Sequence, residues 1–435
     1  MKQLRVASVL MRSGKMLEKL HHGKIYYGWI IVFATFIIMA NSMGIINNTA
    51  SLFLKPISDD LGFTRAAISA TFTIRFVVQM IVSLFSWKIF TKYNLRNVMK
   101  LSTIVMVLSF FSYSFADSLP SIYIISVIVS LSFTLINILP LSLILNNWFN
   151  DRIGTVMGIA FMGSGIGGML FNSLAGKWIF EYGWRTTYQI LAFIMFLTVT
   201  PCVFFLIRIH PRDIGLKPLG ESSKSNENMD PQNSGVMLGD VIRTYKFWML
   251  IISSMLLAMC INTLIMTMAP HLTDMGYTIT YSANIVAICM GAIALGKVLL
   301  GYLYDKIGVK LATIISCLST LIGLIALIKY KSYFTLIILI IGSGICGAYG
   351  NVGSPIITQK LYGKRDYSAI YGIVFATNTI GIAVGPMLMG YIYDLTGNYL
   401  LGFKLMLIIA FLTMITFSFI LEKEKRVDIK FRSNI

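Results

Sequence analysis

The chain reads as an all-α integral membrane protein with twelve transmembrane helices in two pseudo-symmetric six-helix halves. Three observations predict this. Of its 435 residues, 56% are hydrophobic and only 12% are charged, against about 25% charged in ordinary soluble domains. Twelve apolar runs recur along the sequence, each close to the ~20 residues a helix needs to cross a bilayer. None shows the polar and apolar alternation of a membrane barrel, so the runs are read as helices. The sequence also repeats itself. Gly176 and Gly183 recur as Gly390 and Gly397 at an offset of 214, while Pro140 and Asp151 recur as Pro355 and Asp366 at 215. The expected organisation is a tail at 1–24, a bundle at 25–207, a linker at 208–246, a second bundle at 247–421 and a tail at 422–435.

Charge supplies the orientation. With both termini placed on one side, 27 of the 36 Lys and Arg residues fall on that side and 7 on the other, and only Arg75 and Lys297 lie within spans. The positive-inside rule then makes both termini cytoplasmic, and a multi-pass protein of the cell membrane is expected. The net charge of +18 follows this topology. It forms no basic patch with interleaved aromatics on a soluble domain, which argues against nucleic acid as a partner. Residues 1–24 carry six basic residues but no separate apolar core before a cleavage site, so they read as a tail rather than a secretory signal. Cys202, Cys260, Cys289, Cys317 and Cys346 fall singly in apolar runs without C-x-x-C spacing, so neither disulfides nor zinc are expected. No cofactor is implied.

The first span opens on Tyr26-Tyr27-Gly28-Trp29, an aromatic anchor of the kind that sits at a membrane interface. Asn41, Asn47 and Asn48 interrupt it, and amides in lipid must face a cavity or another helix. The second span holds Arg75 about ten residues from its outer end, or ~15 Å at 1.5 Å per residue. All 18 acidic residues fall in loops, tails or span ends, so its partner is neutral or a ligand. The fifth span carries Gly154, Gly158, Gly163, Gly165, Gly167 and Gly168. That spacing permits close helix packing, or a surface on which two halves slide. Residues 208–246 form the long polar stretch between the halves, too polar to build a core. His271, near the end of the seventh span, is expected at an aqueous interface. The eleventh span contains Gly381, Gly385, Pro386 and Gly390, which suggest a bend or close packing.

The most informative stretch is Gly296 to Lys310. Lys297 lies in an apolar span, where an ionisable residue costs about 2.5 to 3.5 kcal/mol on insertion scales and usually marks a substrate path. A lysine snorkelling to the inner surface is the competing reading. One turn on, Gly301, Asp305, Lys306, Gly308 and Lys310 form G-x-x-x-D-K-x-G-x-K between two apolar runs. Gly301 lets helix backbones approach, Gly308 permits a tight reversal, and Asp305 can accept from helix N-termini across the domain. At an offset of 214, Trp87, Thr91, Lys92, Asn94 and Arg96 form a degraded copy that keeps the basic positions but loses both glycines and the aspartate.

This signature resembles the cytoplasmic loop motif of the major facilitator superfamily. The resemblance implies the major facilitator fold, with a substrate site near the midplane between two halves that open alternately. Further stretches resemble the branch that contains the oxalate/formate antiporter and the monocarboxylate carriers: Tyr27-Gly28-Trp29, Gly183-Trp184-Arg185 and Pro211-Arg212-Asp213-Ile214-Gly215-Leu216. That branch places a substrate-binding arginine four positions before the motif glycine, where Lys297 stands. Two departures follow. Asn378 falls near the antiporter's second basic position, and Asn47 and Asn48 stand where monocarboxylate carriers place a lysine.

The expected function is a secondary transporter of a small mono- or dicarboxylate, a monomer working by exchange or proton-linked transport. Lys297, Arg75, Asn47, Asn48 and Asn378 are the candidate substrate ligands. Gly301, Asp305, Lys306, Gly308, Lys310, Lys92 and Arg96 are the candidate gating residues. The alternatives are a facilitator for another small solute, and a transport-inactive sensor or scaffold. An enzyme is not expected, because His21, His22, His210 and His271 form no triad or metal set.

Overall fold

A computed structural model describes residues 26–220 and 235–421. The expected tails and residues 221–234 of the linker lie outside the described residues. Within them every regular element is helical, with only two isolated bridges, Phe149 with Leu219 and Gly235 with Gly363.

Among the described residues, eleven helices are long and apolar enough to cross a membrane. One of them, Ile153–Leu206, has 54 residues, or roughly 80 Å at 1.5 Å per residue, more than twice the ~30 Å hydrocarbon core. It breaks at Gly183, whose φ of 78° and ψ of 166° lie outside the helical region, and so supplies two spans. The twelve are spans 1 (Gly28–Leu61), 2 (Ala67–Lys92), 3 (Leu95–Phe115), 4 (Leu119–Trp148), 5 and 6 (Ile153–Leu206), 7 (Tyr245–Asp274), 8 (Tyr281–Lys306), 9 (Gly308–Ile328), 10 (Tyr333–Tyr362), 11 (Tyr367–Thr396) and 12 (Leu400–Ile420). The face at which span 1 begins and span 12 ends is called the tail face below, and the opposite one the far face.

Span 1 is not uniform. Its α-helix, Gly28–Asn41, widens into a π-helix over Ser42–Asn48, tightens to 3-10 over Ala50–Phe53 and resumes as Leu54–Leu61. Polar side chains that bond their own backbone loosen the helical ladder. Asn41 Nδ2 donates to Ile37 O at 2.9 Å, Ser42 Oγ to Ile38 O at 2.6 Å and Thr49 Oγ1 to Ile45 O at 2.5 Å. A π turn of this kind is a frequent feature of functional sites.

The halves meet through spans 5 and 8 and through spans 2 and 11. Glycines set the approach. A Cβ on Gly154 would overlap Gly301 O, one on Gly158 would overlap Lys297 O, and one on Gly165 would lie 2.7 Å from Ala294 Cβ. The remaining span 5 glycines face span 1 within the same half: Gly163 abuts Phe36 O, Gly167 abuts Ala40 O and Gly168 abuts the Asn48 amide. The six glycines thus divide between a contact inside one half and the seam between halves.

Three local outcomes differ from the sequence reading. His271 is buried rather than interfacial, because span 7 continues to Asp274 and Phe403 of span 12 packs edge-on at 5.0 Å. The ends of the polar linker are ordered: Pro211–Ile214 is a 3-10 turn, Leu238–Ile242 a short helix, and Tyr26 Oη donates to Lys217 O at 2.9 Å. Asn94, in the turn-glycine position of the degraded copy, has φ −60° and caps span 3 by accepting from Arg96 N–H at 3.0 Å. No left-handed residue is needed there. Its counterpart Gly308 has φ +84°, a conformation that glycine adopts without a Cβ penalty.

Candidate functional site

Lys297 projects from span 8 into the seam and is buried, with 3% exposure. Its Nζ donates to Phe161 O at 3.3 Å and to Ser164 Oγ at 2.5 Å. Both acceptors belong to span 5, in the opposite half. The side chain therefore stays inside the seam and does not take the snorkelling course. Among the described residues the salt bridges are Arg152 with Asp151, Lys177 with Glu181, and Arg185 with Asp60 and Asp117. All of these lie at span ends or loops. Lys297 is held by two neutral oxygens alone, and a buried cation without a counter-charge is costly.

Arg75 is likewise buried, at 8% exposure. One terminal nitrogen donates to Ile46 O at 3.0 Å and to Asn47 Oδ1, while its Nε is buried without a partner. Tyr113 and Tyr188 are its electrostatic neighbours. The guanidinium lines a cavity of about 30 Å³ together with Thr49, Thr71, Phe53, Phe110 and both tyrosines. That space suits a water molecule or a small ligand group. It is built from the first half alone, and Lys297 does not line it.

The two cations sit at different depths. Arg75 lies ten residues from the start of its helix at Arg65 on the far face, and Lys297 nine residues from the end of its helix at Lys306 on the tail face. At 1.5 Å per residue these are each roughly 15 Å in from opposite ends. The amides of span 1 lie between them. Asn47 accepts from Arg75, and its neighbour Asn48 donates from Nδ2 to Ser164 O at 3.1 Å. Ser164 in turn accepts from Lys297. Arg75, Asn47, Asn48, Ser164 and Lys297 thus form one chain across spans 2, 1, 5 and 8. Asn378 stands apart from it, donating to Ser354 Oγ at 3.0 Å within the second half and leaving its Oδ1 without a partner.

The tail end of the seam is clasped by Asp305. Its Oδ1 accepts from Gly154 N–H at 2.9 Å, and its Oδ2 accepts from Thr155 N–H at 2.6 Å and Thr155 Oγ1 at 2.7 Å. These donors open span 5, so a carboxylate meets unpaired N–H groups and the positive end of a helix dipole. Gly301 packs against Gly154 one turn deeper. The basic loop residues play no such bridging part in their observed contacts. Lys306 Nζ lies over the Tyr302 ring at 5.4 Å, Lys92 Nζ over Tyr93 at 5.5 Å, and Arg96 donates to Phe204 O at 3.0 Å inside the first half. Lys310 is half-buried in the first turn of span 9.

A second clasp escaped the sequence reading. Lys364 Nζ, between spans 10 and 11, donates to Asn146 O at 2.5 Å and Asn150 Oδ1 at 2.6 Å at the end of span 4. Tyr367 Oη donates to Ser142 Oγ at 3.1 Å beside it. The only sequence signal was the recurrence of Asp151 as Asp366, which marks these two loops as equivalents.

Two six-helix halves sealed at one end, with a motif aspartate capping a helix of the opposite half, narrow the possible families. A family model described as Major Facilitator Superfamily matches residues 31–330 and 283–434. The chain belongs to this superfamily. It is a multi-pass membrane protein of a transporter family. Monocarboxylate transporter 13 of Rattus norvegicus is 24% identical over 380 residues, covering 87% of this facilitator and 85% of the relative. Riboflavin transporter RibJ of Trypanosoma cruzi is 47% identical over only 47 residues, 11% of this chain and 10% of that one. Among solved structures, the proton:xylose symporter XylE has a TM-score of 0.74 at 12% identity, covering 92% of this chain and 97% of its own, a likeness of fold. Among the described residues no group of His, Cys, Asp or Glu could hold a metal ion.

Proposed function

We propose that this facilitator moves a small organic anion, a mono- or dicarboxylate, by alternating access, with Lys297 as the principal carboxylate ligand. The observation that carries the proposal is Lys297 itself: a cation sealed in the seam, held by Phe161 O and Ser164 Oγ with no acidic partner. A carboxylate offers it charge that neutral oxygens cannot, and a charged hydrogen bond contributes about 1.5 to 3 kcal/mol. The present arrangement, clasped at the tail face, is the state in which Lys297 is closed to that side. Parting spans 5 and 8 breaks the Ser164 contact and exposes Nζ to an incoming anion. Arg75, nearer the far face, gives the first-half cavity a positive potential and a second anchor for a dicarboxylate. Asn47 and Asn48 orient that anchor, and Asn378 offers a free amide oxygen to a polar group on the substrate. With the termini cytoplasmic, as the distribution of basic residues favours, the tail face is the inner face of the cell membrane.

The test is a panel of mono- and dicarboxylates in proteoliposomes, with and without a pH gradient, comparing the parent chain with Lys297→Gln. Anion uptake that falls in the variant through a 10- to 150-fold weaker affinity, the equivalent of about 1.5 to 3 kcal/mol, supports the reading. Unchanged affinity for every anion overturns it. A second reading, a neutral solute, draws on the hydroxyls and amides beside the two cations, and uptake of a neutral compound with no anion uptake would establish it.

A further inference from the structure

Three cations gather at the tail face on the outer side of the first half, away from the seam. Arg96 and Lys100 stand one helical turn apart near the start of span 3, and Arg208 lies just beyond the end of span 6. Arg96 donates to Phe204 O at 3.0 Å, Arg208 donates to Phe205 O at 3.0 Å and Ile207 O at 3.1 Å, and Lys100 Nζ lies 5.4 Å from the Phe204 ring centroid. Capping the carbonyl end of span 6 explains part of this. A helix C-terminus carries only about half a negative charge, however, and Asp213 is the one carboxylate among the electrostatic neighbours of Arg96. Asp213 is itself engaged, accepting from His210 N–H at 3.2 Å. Positive charge remains in excess, and Arg96 Nε is buried with no partner.

The surroundings identify what would neutralise it. Leu101, Ile104 and Leu108 continue down the same side of span 3, and Phe205 projects from span 6; Leu101, Leu108 and Phe205 are at least 60% exposed. These are lipid-facing side chains. The basic groups therefore lie at the polar margin of the bilayer, directly above a hydrocarbon surface. We propose that Arg96, Lys100 and Arg208 bind the phosphate of an anionic phospholipid, whose acyl chain lies along Leu101, Leu108 and Phe205. The guanidinium groups suit phosphate oxygens, since each offers several donors in a plane. A soluble phosphate ester shares the headgroup chemistry but gains nothing from the apolar wall. The inference does not depend on what the transporter carries.

Native mass spectrometry of the full chain in detergent, titrated with phosphatidylglycerol and with phosphatidylcholine, tests the site. Preferential retention of phosphatidylglycerol is expected, and Lys100→Gln with Arg208→Gln should weaken it about 25-fold, at roughly fivefold for each cation near a membrane surface. Lys88→Gln with Lys92→Gln, on the same face but outside the cluster, serves as the control. Should the double variant lose its thermal transition, Lys100→Gln alone is measured, since it leaves the Arg96 and Arg208 hydrogen bonds in place; a fivefold loss is expected. Equal retention by variant and control overturns the proposal. So does glycerol phosphate binding as tightly as the lipid, which would assign the cluster to a soluble ester.

Discussion

Replacing Asp305 by asparagine isolates the clasp from the substrate site. The carboxylate accepts three hydrogen bonds from Gly154 and Thr155, at 2.6 to 2.9 Å. Asparagine keeps one acceptor oxygen, which in the Oδ2 position retains the two Thr155 bonds but loses the one from Gly154, and the charge facing the start of span 5 is lost. Buried charge-assisted bonds contribute about 1.5 to 3 kcal/mol each, but Asp305 is only half-buried and solvent screens it. A loss near 2 kcal/mol for the tail-closed state is a reasonable net figure, or about 30-fold in its equilibrium. Cysteine labelling reads that equilibrium. Cys202, Cys260, Cys289, Cys317 and Cys346 are all buried and can be replaced, and a single cysteine at Ser142, in the tail-face seam, then reports opening. Asp305→Asn should speed its alkylation about 30-fold and slow turnover, leaving substrate affinity within a given state nearly unchanged, because Asp305 touches no substrate ligand. Labelling and turnover equal to the parent would refute the reasoning. Thr91→Asp, in the degraded copy, should change labelling by a smaller factor.

The two glycine surfaces of span 5 should fail differently. Gly158→Ala, which places a methyl group against Lys297 O across the seam, should raise alkylation of the Ser142 probe with little change in melting temperature; Gly167→Ala, against Ala40 O within one half, should lower the melting temperature by several degrees. Lys364→Gln should open the tail face by roughly tenfold in the same labelling assay, since it loses a charged donor to Asn146 O and Asn150 Oδ1. Lys297→Arg should retain transport but shift the preference among carboxylates, measured as ratios of uptake, because a planar fork replaces a point charge. Arg75→Gln should abolish dicarboxylate uptake while sparing monocarboxylates; equal loss of both would show that Arg75 sets potential or structure and takes no second carboxylate.

The sequence made the membrane class legible because twelve apolar runs are a long-range, redundant signal. Asp305, Gly301 and Gly308 were legible for a different reason, since each solves a backbone problem that few residues can solve. Gly308 at φ +84° is the simplest case. Pairing between side chains far apart in sequence was not legible. Nothing in the text of the chain says that Lys297 should reach Ser164, 133 positions away, or that Lys364 should reach Asn146. Arg75 and Lys297 stood out as candidate substrate ligands because both are unpaired intramembrane cations. Their depths come from position within each helix, and these place them toward opposite faces. His271 was misjudged on the same ground: hydropathy marks where a span ends but not which neighbour covers its last turn.

What joins the two cations is the irregular stretch of span 1. Asn47 and Asn48 are adjacent, yet one bonds Arg75 on span 2 and the other bonds Ser164 on span 5. Successive side chains of a helix point about 100° apart, so these neighbouring amides reach partners on two different helices. Ser164 is shared, accepting from Asn48 at its carbonyl and from Lys297 at its hydroxyl. When the seam opens, Lys297 leaves with the second half, while Ser164 stays with span 5 and keeps its tie to Asn48. On the proposed mechanism the first half moves with Arg75, Asn47, Asn48 and Ser164 as a connected unit, and opening breaks the bonds of Lys297 to Ser164 and to Phe161 O. An anion that takes the place of Ser164 at Lys297 stabilises the parted seam and leaves that unit intact. On the proposed function, substrate binding and the release of the halves would then be coupled at Lys297.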